Sequence, residues 1–300
     1  MKIAIVGAAG KMGSWFAALL HRHGHELVLV GRRREPVERL AQGMERCTVG
    51  GYDSIGGADA VIVSVPLNVV DNVLRELAPY VKESQPVIDL SSLKVAPQAS
   101  AEAHMPKACF LGVHPMFGPG ADGFAGHNVI LVPGSAAAAA LAERVRAYLE
   151  PLGAHVTSVE PAEHDALMSI VLGLPALAVA AVARTILSTG RLTQAREASG
   201  TSLEVLMALT ESMVCGGSEL YGMLLAAMPA APAVAASFQD SAEHLAKLVA
   251  EGDRSSLIAE FEMLGRGLTE CSRTAGDAYA RMYAMLEALK RYPATPSNSR

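Results

Sequence analysis

The chain opens with a strand that runs straight into glycines. Residues 3–6 are an apolar, β-prone run, Gly7-Ala8-Ala9-Gly10-Lys11-Met12-Gly13 follows, and 14–23 reads as a helix. Strand, glycine-rich turn and helix in that order are the context in which a glycine triplet becomes a dinucleotide site. Glycine lets the backbone approach a pyrophosphate, and the helix N-terminus offers free N–H groups and positive dipole. The spacing is G-x-x-G-x-x-G, one residue longer than the G-x-G-x-x-G form. Gly7, Ala9, Gly10, Lys11, Met12 and Gly13 are therefore the first candidate cofactor contacts.

The next strand, 26–30, ends at Gly31-Arg32-Arg33-Arg34. Where an acid would bind a ribose 2′-hydroxyl, the chain has arginines, which suit a 2′-phosphate. Arg32 and Arg33 thus predict NADP as cofactor, with NAD possible. A strand over 60–65 ending at Pro66 brings Val65 and Pro66 to the same site. The pattern continues with a helix over 69–81 and strands over 86–90 and 108–111. After a glycine-rich loop at 120–127 come a strand over 128–132, a helix over 136–149 and a strand over 155–159. This alternation predicts an α/β fold, a doubly wound parallel Rossmann domain over 1–160.

From Pro161 the pattern is helical throughout. Pro161-Ala162-Glu163-His164-Asp165 reads as the first turn of a long helix, with Pro and acids where an N-terminus favours them. Further helices are expected over 201–215, 218–228, 231–251 and 254–289, the last weakened by Gly265, Gly267 and Gly276. An all-α substrate and dimerisation domain over 161–292 and a disordered tail over 293–300 complete the organisation.

Three hundred residues, 51% of them hydrophobic, allow two domains with a large core. The net charge of -5 and the lack of a basic face argue against a nucleic-acid partner. Cys47, Cys109, Cys215 and Cys271 are widely spaced, which suggests buried thiols in a reducing compartment and no metal site. The immediate first strand leaves no room for a secretory signal, so a cytoplasmic protein is expected. The uncharged run 167–183 nears spanning length. Its Gly173 and Pro175 favour a buried interface helix over a membrane span, and hence a homodimer.

The chemistry is expected around residues 112–119, Gly-Val-His-Pro-Met-Phe-Gly-Pro. Pro lacks the N–H that a helix or central strand needs, so this segment should be a stiff turn holding His114 just beyond a strand end. Open α/β sheets bind ligands at that edge. Ser91, Ser92 and Lys94 follow another strand end on the same edge. Either serine hydroxyl can meet a substrate oxygen or orient His114, and Lys94 can meet an anion or be solvated.

Residues 7–16, 89–94, 112–119 and 163–168 occur in the order found in prephenate and arogenate dehydrogenases, which the chain resembles over nearly its whole length. Glu219-Leu220-Tyr221 and Glu251-Gly252-Asp253 resemble landmarks of the archaeal-type branch. The resemblance implies NAD(P)-dependent oxidative decarboxylation of a cyclohexadienyl substrate with carboxylates. His114 matches the residue that takes the hydroxyl proton, and Ser92 the serine beside it; Lys94 and Ser91 are then candidate substrate contacts. Two anchors are missing. Ala176 stands where the family usually has a substrate-side His, and Ser212 where it has an Arg. These departures raise a secondary-metabolic analogue such as 4-amino-4-deoxyprephenate as an alternative substrate. Two other readings are a hydroxy-acid or imine reductase and a non-catalytic NADP-sensing protein. The first would want a Lys on the helix after the domain junction, yet none lies between Lys107 and Lys247. The second would need neither Ser92 nor His114.

Overall fold

Short apolar strands alternating with one-sided helices can bury both only by layering helices over a sheet. The computed structural model, which describes residues 1–291, has that architecture in its first unit, Met1–Met168. The strands are β1 (Lys2–Val6), β2 (Glu26–Val30), β3 (Cys47–Gly50), β4 (Ala60–Val63), β5 (Pro86–Asp89), β6 (Cys109–Pro115), β7 (Asn128–Pro133) and β8 (His155–Ser158). They form one sheet in the order β3-β2-β1-β4-β5-β6-β7-β8. The helices are α1 (Lys11–Arg22), α2 (Arg34–Ala41), α3 (Val70–Leu77), α4 (Val95–His104), α5 (Ala136–Leu149) and α6 (Pro161–Met168).

Alternation along the strands divides the core. Ile3, Ile5, Leu111 and Val113 face α1 and α5, packing with Phe16 and Leu141. Ala4, Val6, Val61 and Phe110 face the other way, with Leu74 of α3 and Ala101 of α4. Chain order reverses between β1 and β4, the place where doubly wound sheets open a crevice for ligands.

Several expectations change. The sheet is parallel except that β7 runs antiparallel to β6. No helix lies between these two strands, and a parallel pair would need a crossover. The short edge strand β3 and the helices α2 and α4 were not expected. The unit boundary falls after Met168 instead of at 160, because α6 packs on α4 and β7.

The second unit is described over residues 169–291. A π-helical turn (Ser169–Gly173) leads into α7 (Leu174–Ser188), α8 (Leu192–Glu197), α9 (Thr201–Val214), α10 (Ser218–Ala227), α11 (Ala231–Glu251), α12 (Arg254–Cys271) and α13 (Ala278–Lys290). Helix α7 packs on α9 and α11, and α13 on α9. The single helix expected over 254–289 is two, broken beside Gly276. The helical run Pro161–Ser188 is long and apolar enough to cross a membrane, yet at its start His164 and Asp165 are buried and bonded within the sheet unit. Its most apolar window is 28% buried, less than expected of a core helix. Cys47 and Cys109 are half-buried, while Cys215 and Cys271 are exposed, so the four are not uniformly buried thiols. The tail expected over 293–300 lies outside the described residues.

Candidate active site

The glycine turn is dictated by close approach. Gly7 has φ +82°, and a Cβ there would lie 2.2 Å from the Ser64 carbonyl oxygen at the end of β4. A Cβ on Gly13 would lie 2.2 Å from the Gly7 oxygen, so α1 can press onto β1 only with glycine there. Gly10 caps α1 without a side-chain bond, and the first turn carries no acid. The helix therefore keeps free N–H groups and an uncompensated positive end. Ala9 and Lys11 are exposed at the turn, and Met12 is half-buried. Val65 and Pro66 lie just beyond β4, which ends at Val63, and Val65 closes one side of the turn at Gly7. After β2, Arg34 is paired with Glu38 at 2.7 Å, while the exposed Arg32 and Arg33 make no ion pair among the described residues. A turn that a side chain would fill, an open helix N-terminus and two free guanidinium groups fit a phosphorylated dinucleotide.

The edge after β5 carries a buried polar core. Asp89 ends the strand, and Lys94 Nζ lies 2.7 Å from its Oδ2, with both side chains 1% exposed. The ammonium also donates to the carbonyls of Asp89 (2.9 Å) and Val113 (3.1 Å). Burial pushes the Lys94 ammonium towards a lower pKa, and the Asp89 carboxylate opposes that shift. Gly112 makes room for the stem, since a Cβ there would lie 2.8 Å from Lys94 Cδ. The Ser91 hydroxyl, also buried, lies 2.6 Å from Asp89 Oδ2 and 2.8 Å from the Leu93 carbonyl. Lys94 and Ser91 are therefore not open to a substrate as the sequence suggests. They tie the turn carrying Ser92 to the strand carrying His114. Ser92 is half-buried, and its hydroxyl makes no hydrogen bond within the described residues.

His114 lies inside β6, not in a turn beyond it, paired with Ile130 of β7. Pro115 is tolerated because the Met116 N–H bonds Asn128 at 2.9 Å. Successive nitrogens alternate sides, so the proline nitrogen faces away from β7, past the point where β5 has ended. Beyond it, Phe117 packs on Trp15, whose indole N–H donates to Ala121, pinning the following loop to α1. His114 is 6% exposed, on the α3/α4 face of the sheet. Its Nδ1 lies 3.0 Å from Nε2 of His164, which is fully buried on α6. His164 Nδ1 lies 2.7 Å from Asp165 Oδ1. Asp165 does not cap its own helix. Its carboxylate accepts from the backbone N–H groups of Lys94 (2.7 Å) and Val95 (3.0 Å), capping α4. Burial first, then the Lys94 ammonium and His164, hold the His114 imidazole well below its ordinary pKa. A buried imidazole with a lowered pKa, on the same sheet as the glycine turn, can accept a proton from a substrate hydroxyl or amine.

A family model described as the nucleotide-binding domain of prephenate dehydrogenase matches residues 16–158. Over those residues the chain is similar to the nucleotide-binding domain of prephenate dehydrogenases. A probable arogenate/prephenate dehydrogenase of Methanocaldococcus jannaschii is 26% identical over 263 residues, 86% of this chain. The match spans only 59% of that protein's length. A 4-amino-4-deoxyprephenate dehydrogenase of Streptomyces pristinaespiralis is 26% identical over 295 residues, 95% of this chain and 97% of that protein. The crystal structure of Synechocystis arogenate dehydrogenase is 25% identical, with a TM-score of 0.69 over 94% of this chain and 100% of that one. The chain thus shares its fold with that enzyme over nearly the whole length of both. At the two departures from the family pattern, Ala176 is packed against Val179 and Met213, and Ser212 is exposed.

His164, Asp165 and Asp89 are the members of this site that sequence reasoning did not single out. Their signals were segments 89–94 and 163–168, which carry the resemblance, and a His-Asp pair opening a helix, which capping explains equally well.

Proposed function

We propose that the protein is an NADP-dependent dehydrogenase that oxidatively decarboxylates a cyclohexadienyl substrate of the prephenate type. The observation that carries this reading is His114, a buried neutral base on the sheet edge that also bears the glycine turn and Ser92. A bound nicotinamide supplies the hydride acceptor. His114 takes the proton of the ring hydroxyl or amine as the hydride leaves the carbon bearing that group. The ring carboxylate then departs as carbon dioxide, its bonding electrons completing the aromatic ring. Ser92 offers a hydroxyl to the same substrate group. Arg32 and Arg33 receive the 2′-phosphate.

Within this class the amino-bearing substrate is the better candidate. The Streptomyces 4-amino-4-deoxyprephenate dehydrogenase matches end to end, and the two positions where the family usually anchors substrate hold Ala176 and Ser212. Turnover should be measured with prephenate, arogenate and 4-amino-4-deoxyprephenate. The amino analogue is expected to give the highest kcat/KM; a prephenate value equal or higher would refute that choice, and no turnover of any would refute the class. The protein is read as a cytoplasmic homodimer built on its helical unit.

A further inference from the structure

The function above gives His114 a role and leaves His164 and Asp165 without one, although they continue from it in an unbroken buried line. Asp165 Oδ1, His164 Nδ1, His164 Nε2 and His114 Nδ1 follow one another at separations of 2.7 Å within the Asp165–His164 pair and 3.0 Å between the rings. A carboxylate only accepts hydrogen bonds, so His164 carries its proton on Nδ1. Neutral His164 then presents a lone pair at Nε2, which requires the proton of His114 to be on Nδ1. The free lone pair of His114 is consequently on Nε2.

We propose that His164 and Asp165 are a positioning pair that sets the tautomer of His114 and takes over the positive charge created when His114 accepts the substrate proton. This rests on His114 being the base. In the step, the substrate O–H or N–H proton passes to His114 Nε2 while the proton on His114 Nδ1 passes to His164 Nε2. His114 ends neutral with its proton on Nε2. His164 ends as an imidazolium between His114 and the Asp165 carboxylate. No proton is gained or lost, and Asp165 stays ionised.

The surrounding charges favour that destination. Facing the two rings are Asp165 from α6 and Lys94 from the turn before α4, the latter ion-paired with Asp89 at the end of β5, while β7 places Ile130 opposite His114. Two carboxylates and one ammonium leave the cluster one negative charge in excess, so one added proton neutralises it. A charge kept on His114 would face Lys94, and burial already opposes it there. A charge moved to His164 lies against a carboxylate, where buried charges are tolerated.

The test compares His114→Ala, His164→Gln and Asp165→Asn in the full chain, using the substrate that the wild type turns over fastest. Asp165→Asn can keep the oxygen that accepts from His164 and the Lys94 N–H, and it removes the charge together with the acceptor for the Val95 N–H. It should lower kcat about 10-fold or more, within what a positioned base contributes. KM and NADP affinity should stay within about twofold of wild type, and the acid limb of kcat/KM should move to lower pH, because the pair now holds a proton less well. Unchanged kcat and an unmoved limb in Asp165→Asn would overturn the relay. If His114→Ala itself turns over normally, the assignment of the base fails instead, whatever the other variants do. Nitrogen NMR of the wild-type imidazoles is independent of variant folding. A protonated Nδ1 on His114 is expected, and a protonated Nε2 in the resting enzyme would refute the proposal.

Discussion

Lys94 shows how far one side chain's role depends on what surrounds it. Its position two residues after Ser92 suggested a substrate anion, yet its ammonium is enclosed by Asp89 and two carbonyls. Removing one member of a buried ion pair leaves the other uncompensated, typically at a cost of about 3–5 kcal/mol. Lys94→Met should therefore lower stability by that order in denaturant titration and leave little folded enzyme to assay. Near-normal stability with a raised KM would restore Lys94 to the substrate site. Gly112 is legible only with Lys94 in view, because its missing side chain is the space the lysine stem occupies.

At the scale of elements, turn and cap chemistry was readable where it is local. Gly252 ends α11 with φ +67°, and Asp253 caps α12 through the N–H groups of Ser255 and Ser256. Both residue types announce a helix corner. Asp165 misled, since its carboxylate caps α4, seventy positions earlier in the chain, instead of α6. The turn from β2 into α2 carries a prediction of its own. Replacing Arg32 and Arg33 together by Ala should raise KM for NADP about tenfold or more, matching loss of a charged hydrogen bond worth about 1.5–3 kcal/mol, and leave KM for NAD nearly unchanged. Equal effects on both cofactors, measured by steady-state kinetics, would remove the 2′-phosphate from this turn.

At the scale of the molecule, the buried polar core ties stability to pH. The folded pKa of His114 is depressed, so above about pH 6.5 the group is neutral in both states and contributes nothing to the pH dependence. As pH falls below that value the unfolded chain takes a proton that the folded chain refuses. Stability should then fall by up to about 1.4 kcal/mol per pH unit until the folded pKa is reached. The lowered pKa of His25 acts in the same direction. His114→Gln should flatten this loss between pH 6.5 and 5.5 in denaturant titrations, and an unchanged slope would show that His114 does not carry it. The helical unit makes a different prediction. Leu187, Phe261 and Leu268 are each at least 64% exposed, more apolar side-chain surface than a solvated helix bundle usually shows. Light scattering should find a dimer at micromolar concentration, and a monomer would leave that surface unexplained.

Sequence alone determined most of the alternation of strands and helices, though not β3, α2 or α4, together with the glycine turn, the absence of an acid after β2 and the change to helix after residue 160. Each is written in local periodicity or in backbone constraints spanning a few residues. The direction of β7, the enclosure of Lys94 and the line from Asp165 through His164 to His114 depended on tertiary structure. Among them are contacts between residues as far apart as 19 positions, Lys94 and Val113, 50 positions, His114 and His164, and 71 positions, Lys94 and Asp165. Nothing in local pattern distinguishes a His or Asp that will be buried against such a partner from one that faces water, because the energy of the pairing exists only once the sheet has brought both groups out of solvent.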